Sequence, residues 1–179
     1  MSPQLHWIEA GKGDRRVLQG FDCATDPPRT RSGRELPHPA KWHRQVHAFI
    51  HALKMSIGDG ILLLGEDDER RVAAVAVLYD SARDGEVYTM KLAALGVRLD
   101  CQGRGYGVEA IEVALEEAEA RTFGGYSVLV VFGQVHVKNR PSQSACARAG
   151  LIRQSEARPG EEFEDWGTAI ELSPDALSN

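Results

Sequence analysis

The sequence predicts one α/β (α+β) domain built on a mixed β-sheet. Its 179 residues fit one domain, and we assign residues 1–179 to it, with an irregular N-terminal segment over residues 1–40. Apolar, β-rich runs alternate with amphipathic stretches in the order helix, three strands, helix, strand, helix, two strands. That alternation favours a sheet flanked by helices, and a glycine-rich turn joins the third strand to the second helix.

The first third of the chain gives weaker signals than the rest. A short apolar run at residues 17–21 predicts a first strand, and residues 24–41, rich in proline and arginine, predict an irregular loop. Pro39 suits the first turn of a helix. Five apolar residues then recur at helical spacing, and they predict a helix that ends near Ser56: Trp42, Val46, Phe49, Ile50 and Leu53.

Three strands follow that helix. Residues 61–64 and 72–79 are apolar and β-rich, and the charged residues 66–69 between them predict a hairpin with a solvated tip. A polar turn at residues 81–86 precedes a strand over residues 87–98. The next helix reaches about Arg121 and is ended by glycines 124–125, with its buried face expected at Val108, Ile111, Leu115 and Ala118.

The last part of the chain predicts a strand, a short helix and a hairpin. Residues 126–137 form the strand, with Gly133 as a candidate bulge. Residues 140–149 form a helix closed by Gly150. Residues 151–157 and 163–172 form a final hairpin around residues 159–160.

Bulk properties exclude several classes of protein. A net charge of −5 argues against nucleic acid as the main partner. The longest apolar run, residues 72–79, is too short to span a bilayer, and the N-terminus lacks a signal pattern, so no membrane partner is expected. Three cysteines without a Cys-x-x-Cys spacing do not suggest a disulfide framework. We expect a reduced, cytoplasmic protein.

The turn at residues 102–107, QGRGYG, is the strongest functional signal. Its glycines let the backbone turn tightly. The first amides of the following helix lack an intrahelical acceptor, and the helix dipole adds positive potential there. Such a turn binds phosphate well. It is neither a Walker loop nor a dinucleotide fingerprint, because the spacing differs from both.

Two motifs carry a resemblance to a known family. The Gln-x-x-Gly-x-Gly pattern after the strand residues 95–97 resembles the pyrophosphate loop of the GNAT superfamily of acetyl-CoA-dependent N-acetyltransferases. A second motif of that family, Asn-x-x-Ala/Ser, a short helix and Gly-Phe/Leu, is matched by Asn139, Ser142, Gly150 and Leu151. Together the two motifs cover roughly residues 87–155.

The resemblance implies a GNAT-like domain whose mixed, mostly antiparallel sheet splays between the fourth and fifth strands. It implies acetyl-CoA as cosubstrate and direct attack of a primary amine in a ternary complex. The Leu95 amide would stabilise the oxyanion of that attack. The cofactor-binding residues implied are Leu95, Val97, Gln102, Gly103, Arg104, Gly105, Tyr106, Gly107, Val108, Asn139 and Ser142.

Two positions depart from the family pattern. Cys146 stands where the family usually has a Tyr that protonates the leaving thiolate, and Lys91 stands where some members carry a catalytic Glu. A thiol of ordinary pKa can donate a proton, so Cys146 is a candidate acid, although a buried Cys on a helix is more often part of the core. The candidate bases are His136, Glu164 and Asp165.

Two other patterns leave alternatives open. His43, His47 and His51 repeat every four residues. Two of them could share a metal, but a polar helix face without metal is the preferred interpretation, with one His able to meet substrate. A basic stretch could hold a polyanion such as tRNA or be a solvated loop; it comprises Arg29, Arg31, Arg34, Lys41 and Arg44.

Three functions therefore remain. The preferred function is an N-acetyltransferase that acts on a primary amine of a small molecule or protein. The alternatives are an acyl-CoA-binding module with little catalysis and an acetyltransferase that acts on aminoacyl-tRNA. The acceptor is not identified by the sequence, and a homodimer is compatible with it.

Overall fold

One seven-stranded sheet organises the molecule. The computed structural model describes residues 4–11, 14–53, 60–122, 125–157 and 160–172. The strands are β1 (His6–Glu9), β2 (Ile61–Glu66), β3 (Val72–Asp84), β4 (Val87–Val97), β5 (Val128–His136), β6 (Ile152–Arg153) and β7 (Phe163–Glu171). Their order across the sheet is β1-β2-β3-β4-β5-β7-β6. The β4–β5 pair is parallel and the other neighbouring pairs are antiparallel, which confirms the predicted mixed sheet.

Within the described residues, four α-helices cover the two faces of the sheet. They are α1 (Arg15–Gln19), α2 (Lys41–Ala52), α3 (Tyr106–Arg121) and α4 (Arg140–Arg148), and a 3₁₀-helix spans Leu99–Cys101. Successive residues of a strand point to opposite faces. Leu62 and Leu64 accordingly pack with Ile50 of α2, while Ile61 and Leu63 pack with buried alanines of α3.

The buried face of α3 differs in part from the prediction. Ile111 and Ala118 are buried as expected, but Val108 and Leu115 are only half-buried. Ala110 and Ala114 are fully buried instead. Small side chains let α3 lie close to the sheet, and periodicity alone does not show that closeness.

The N-terminal predictions need correction. Residues 17–21 are not a strand, because α1 occupies Arg15–Gln19 and buries Leu18 against the α2 side of the core together with Phe21. The segment expected to be irregular also contains β1, which adds to the sheet beside β2. Both elements are too short for a periodic signal. The predicted turn at residues 81–86 is shorter, since β3 continues through Asp84. Three predicted positions lie outside the described residues: the end of the first helix at Ser56, the helix-ending Gly124, and Pro159 of the final turn.

The charged hairpin tip does more than face solvent. Asp67 accepts hydrogen bonds from the backbone amides of Glu69 and Arg71 at 3.0 Å and pairs with the Arg98 guanidinium at 2.9 Å. Arg98 also donates to the Val72 carbonyl at 2.9 Å. The pair therefore ties the hairpin to the residue that directly follows β4.

Burial opposes the charged form of Asp67, but hydrogen bonds from Arg98 and from the turn amides outweigh it and lower its pKa to about 2. We expect Asp67→Asn to lower the free energy of unfolding at pH 7 by about 1–3 kcal/mol. Because the folded-state pKa lies below the ordinary value of 3.8, this contribution is present above that value and is lost as pH falls toward 2.

Urea unfolding of the wild type and the variant at several pH values measures this effect. The gap in stability should close between pH 4 and pH 2. Asp68→Asn is the matched control because Asp68 is exposed at the same tip, and it should change stability little. If the difference in free energy of unfolding between the wild type and Asp67→Asn stayed constant over that range, the role of the carboxylate would be contradicted.

Candidate active site

The cleft begins where β4 and β5 separate. Their parallel pairing ends at Leu92 opposite Gly133. Beyond that pair β4 stays bonded to β3 through Val97, and β5 stays bonded to β7 through His136. The two strands diverge toward their carboxyl ends, and a cavity of about 540 Å³ opens between them beside α2.

The expected bulge at Gly133 is wrong, and a bulge lies in β4 instead. The β5–β7 register runs through Gly133 without a shift. A Cβ at Gly133 would lie 3.0 Å from the Leu92 carbonyl oxygen, so glycine is needed for close approach at the last pair. In β4, Leu92 pairs with Leu78 and Ala94 pairs with Val77, which leaves Ala93 as the bulge.

The backbone of β4 presents amides to the opening. The Arg98 amide donates to the Ala73 carbonyl of β3, and alternate residues of an antiparallel strand bond to the same neighbour. Gly96 therefore bonds to β3 as Arg98 does. The intervening amides, those of Leu95 and Val97, point away from β3 and into the opening.

The glycine turn lies at one end of the cleft. Gly103 and Gly105 have φ values of 78° and 94°, which side chains rarely adopt. Gly105 is the N-cap of α3 and contributes no side-chain cap, so the first-turn amides of Tyr106 and Gly107 lack an acceptor within the helix. The carboxylate of Glu109, the acidic residue of that turn, accepts two hydrogen bonds from the N-terminal segment at 2.7 and 3.0 Å. These bonds hold the Glu109 carboxylate against the N-terminal segment.

The side chains of the turn differ in their contacts and exposure. The Gln102 amide nitrogen donates to the carbonyls of Cys23 and Val97, both at 3.1 Å, so this side chain holds the turn in place. Tyr106 is 4% exposed and packs in the core, whereas Arg104 is exposed. Only backbone amides and the Arg104 guanidinium are left free to contact an anion at the turn.

The second motif forms the opposite wall of the cleft. The Asn139 side chain caps α4 by accepting from the Ser142 amide at 3.4 Å, and both residues line the cavity. Gly150, with φ at 85°, follows α4 in the conformation that the sequence predicted for a helix end.

Cys146 lies in the wall as a buried thiol. It packs with Ile111, Val135 and Leu151, and burial raises its pKa to about 11. Proton transfer from such a thiol to a thiolate of ordinary pKa near 8.5 is uphill by roughly 3 kcal/mol. This environment is that of a core residue and disfavours the candidate role as acid.

His136 is held in the tautomer that donates from Nε2. Its Nδ1 accepts from the Lys138 amide at 3.1 Å, so the ring proton is on Nε2, which is buried without a partner among the described residues. The ring stacks on Trp42 with centroids 4.0 Å apart. Burial lowers the pKa of His136. A neutral ring whose lone pair is already engaged cannot readily accept a proton from a substrate amine.

The two candidate carboxylates differ in position. Glu164 is buried and lies outside the cavity lining, where it accepts from Trp166 Nε1 at 3.2 Å and pairs with Arg153 at 3.6 Å. Asp165, the next residue of β7, points to the opposite face and accepts from Gln134 at 3.2 Å. Neither carboxylate reaches the cavity directly.

Comparison with known proteins identifies the family. A model described as "Acetyltransferase (GNAT) family" matches residues 24–151. The chain belongs to the GNAT acetyltransferase family. Among curated proteins none matches significantly. Many solved structures resemble this GNAT protein in overall fold.

Three solved structures show the shared fold. A mutant spermidine/spermine N-acetyltransferase of Vibrio cholerae has a TM-score of 0.56 at 13% identity, covering 94% of this chain and 95% of that chain. A ribosomal-protein alanine acetyltransferase of Vibrio fischeri has a TM-score of 0.57 at 12% identity, and the match covers 94% of this chain and 93% of that chain. A putative GNAT acetyltransferase of Desulfovibrio desulfuricans has a TM-score of 0.56 at 14% identity, and the match covers 94% of this chain and 99% of that chain. Within the described ranges, no helix of this GNAT protein is long and apolar enough to cross a membrane.

The three histidines of α2 have different surroundings in this GNAT protein. His43 lines the cavity; desolvation lowers its pKa, and a hydrogen bond with Asn139 partly offsets this. The rings of His47 and His51 have centroids 4.1 Å apart and are tilted by 31°, and His51 Nε2 lies 2.9 Å from the Phe21 carbonyl. All three are half-buried, and His43 is the one that faces the cleft, where an acceptor could meet it. Four-residue spacing could not show which His faces the cleft.

Two of these histidines form a cluster with an aspartate. Ligand atoms of His47, His51 and Asp22 lie within 4.8 Å of one another. These groups lie at the junction of α2 with the loop that precedes residue 24, and His47 and His51 do not line the cavity.

The basic stretch is largely neutralised by ion pairs. Arg29 pairs with Glu35 at 2.7 Å, Lys41 with Glu162 at 2.5 Å, and Arg44 with Asp26 at 3.6 Å. The stretch therefore offers a polyanion less free positive charge than its sequence suggests.

Proposed function

We propose that this GNAT protein transfers an acetyl group from acetyl-CoA to a primary amine by direct attack in a ternary complex. The observation that carries the proposal is the shared cleft. One cavity joins the glycine turn, the outward amides of Leu95 and Val97, and the surface of α2. Holding the thioester and the amine in one cleft supplies the proximity that this reaction needs.

The cofactor would lie along β4. In this proposal the amides of residues 103–107 and the exposed Arg104 bind the pyrophosphate, and Gln102 acts by holding the turn. The Val108 amide, expected to take part, donates instead to the Gly105 carbonyl at 2.9 Å. The pantetheine arm pairs with the amide and carbonyl of Leu95 and with the amide of Val97, as an added strand does at an unpaired edge. Asn139 and Ser142 border the thiol arm. The Leu95 amide stabilises the oxyanion at the thioester carbonyl.

Proton transfer is assigned to His43 in place of His136 and Glu164. His43 faces the cavity and has a lowered pKa, so it is neutral near pH 7 and able to accept a proton from the attacking amine, directly or through one water. The amine nitrogen bonds to the carbonyl carbon, the C–S bond breaks, and the CoA thiolate takes a proton from solvent. Cys146 is not required for that step.

The alternatives have weaker support. The binding module rests on Lys91 and Cys146 standing at two family catalytic positions; it predicts acetyl-CoA binding without turnover. An aminoacyl-tRNA acceptor loses support because Arg29, Lys41 and Arg44 are paired. The names of the solved counterparts support an amine acceptor in general, because spermidine and a protein alanine both offer amines.

The phosphate turn is tested with Gly105→Asp. A carboxylate there would repel the pyrophosphate, and we expect at least about tenfold weaker CoA binding, the ratio that 1.4 kcal/mol gives, measured by calorimetry. Gly33→Asp is the control for backbone strain. Gly33 has a φ of 84° against 94° for Gly105, with nothing within 4 Å of an added Cβ. Unchanged CoA affinity in a folded Gly105→Asp protein would refute the assignment of the turn.

The base is tested with His43→Gln. Since the pKa of His43 lies below its ordinary 6.5, kcat should be level at neutral pH and fall as pH drops through that lowered value. The variant should lose about 10²-fold in kcat and lose this acid limb.

His47→Gln is the matched control for that experiment. It lies one helical turn further along α2 and outside the cavity lining, so both the rate and the limb should be kept. An acid limb that is the same in His43→Gln and the wild type would assign the titrating group elsewhere.

A further inference from the structure

Lys91 is a half-buried cation in the wall of the cleft. It pairs with Tyr79 of β3 and with Phe132 of β5, one residue before β4 and β5 separate. The described part of the chain offers its ammonium group no ion pair, although thirteen ion pairs occur elsewhere. A partly desolvated charge without a counterion is unfavourable, so this position is suited to an anion from a ligand.

The described lining of the cleft as a whole carries positive charge and no negative charge. Its charged residues are Lys91 and Arg148, and its imidazole rings are those of His43 and His136; none of the described lining residues is Asp or Glu. Asp165 lies on the α2 face and is not itself a lining residue; its carboxylate accepts hydrogen bonds at 3.2 Å from Gln134, which lines the cleft, and from Ser155, which does not. A polycationic acceptor would meet no Asp or Glu in the described lining of this cleft, and the nearby Asp165 carboxylate is already hydrogen-bonded.

The cross-strand partner of Lys91 on β3 is a half-buried aromatic residue, Tyr79. Phe49 of α2 packs edge-on against Tyr79, with ring centroids 6.5 Å apart, and burial raises the pKa of Tyr79. An ion pair gains more in such a site than in water. An anion bound here would lie at the α2 end of the cleft, away from the glycine turn.

We infer that the acceptor carries an oxyanion, a carboxylate or a phosphate, close to its primary amine, and that Lys91 binds this group. The inference rests on the proposed function. A bound anion brings the amine into a cleft whose cation would otherwise repel an ammonium group. The positive charge of Lys91 then favours the neutral form of the amine, which is the form that attacks the thioester.

A matched panel of short amines tests the substrate class. β-Alanine offers a carboxylate, 2-aminoethyl phosphate a phosphate, propylamine no charge beyond its amine, and 1,3-diaminopropane a second cation. With acetyl-CoA saturating and free thiol detected, we expect kcat/KM at least about tenfold higher for an anionic acceptor than for propylamine, equivalent to 1.4 kcal/mol. The diamine should be the poorest substrate. The two anionic acceptors distinguish carboxylate from phosphate.

Variants of Lys91 test the residue. Lys91→Met should remove the preference for anionic acceptors, and Lys91→Glu should reverse it toward the diamine. CoA affinity should stay within about twofold in both. Lys138→Met is the control, because Lys138 is exposed and outside the lining of this cleft; it should keep the preference. A Lys91→Met protein with weakened CoA binding and unchanged acceptor preference would overturn the inference.

A second measurement separates this inference from the proposed function. Calorimetry on the CoA complex measures binding of 2-aminoethyl phosphate and β-alanine without turnover. Binding that Lys91→Met weakens at least tenfold, with no acceptor acetylated, would support the anion site and refute the enzyme. Acetylation of the panel without anion preference would refute the anion site and support the enzyme. Neither turnover nor Lys91-dependent binding would refute both.

Discussion

The separation of β4 from β5 is the constraint on which the rest of the structure depends. These strands form the parallel pair of the sheet, and their pairing stops at Leu92 and Gly133. Each strand then follows a different antiparallel neighbour. Because both strands remain bonded on their outer sides, the gap between them can stay open without leaving either strand isolated. The unpaired backbone of β4 in this gap is what makes it a binding surface.

The glycine turn is held to the same gap by contacts that also reach the helix beside it. Gln102 joins the turn to the Val97 carbonyl and to the Cys23 carbonyl. A Cβ at Gly96 would lie 2.9 Å from Ile50 of α2, so this helix packs directly on β4. Arg98 and Asp67 fix the strand end on its other side. The glycine turn and α2, which forms the proposed acceptor wall, are therefore both held in place by contacts with the same part of β4.

The sequence predicted the parts of the site that depend on local conformation. The glycine turn and the Asn139 cap are local, because glycine and a capping side chain determine the backbone around them. The strands of the central sheet also follow from alternation and apolar runs. The fold family followed from the order and separation of two motifs, and the family match over residues 24–151 confirms it.

The rest depended on neighbours that are distant in sequence. The tautomer of His136 is determined by one backbone amide, and the direction of Glu164 by the register of β7. A bulge at Ala93 changes which face of β4 each later side chain occupies, so counting back from Gln102 could not place Lys91. Short elements such as α1 give too few residues for a periodic signal.

Amide hydrogen exchange at β4 tests the central claim most directly. In the free protein the Leu95 and Val97 amides point into the gap, while Ala94 and Gly96 bond to β3. Adding CoA should slow exchange at Leu95 and Val97, since pantetheine would pair with them, and should leave Ala94 and Gly96 nearly unchanged. Saturating CoA that protects none of these amides, or all four equally, would contradict a cofactor bound as an added strand between β4 and β5.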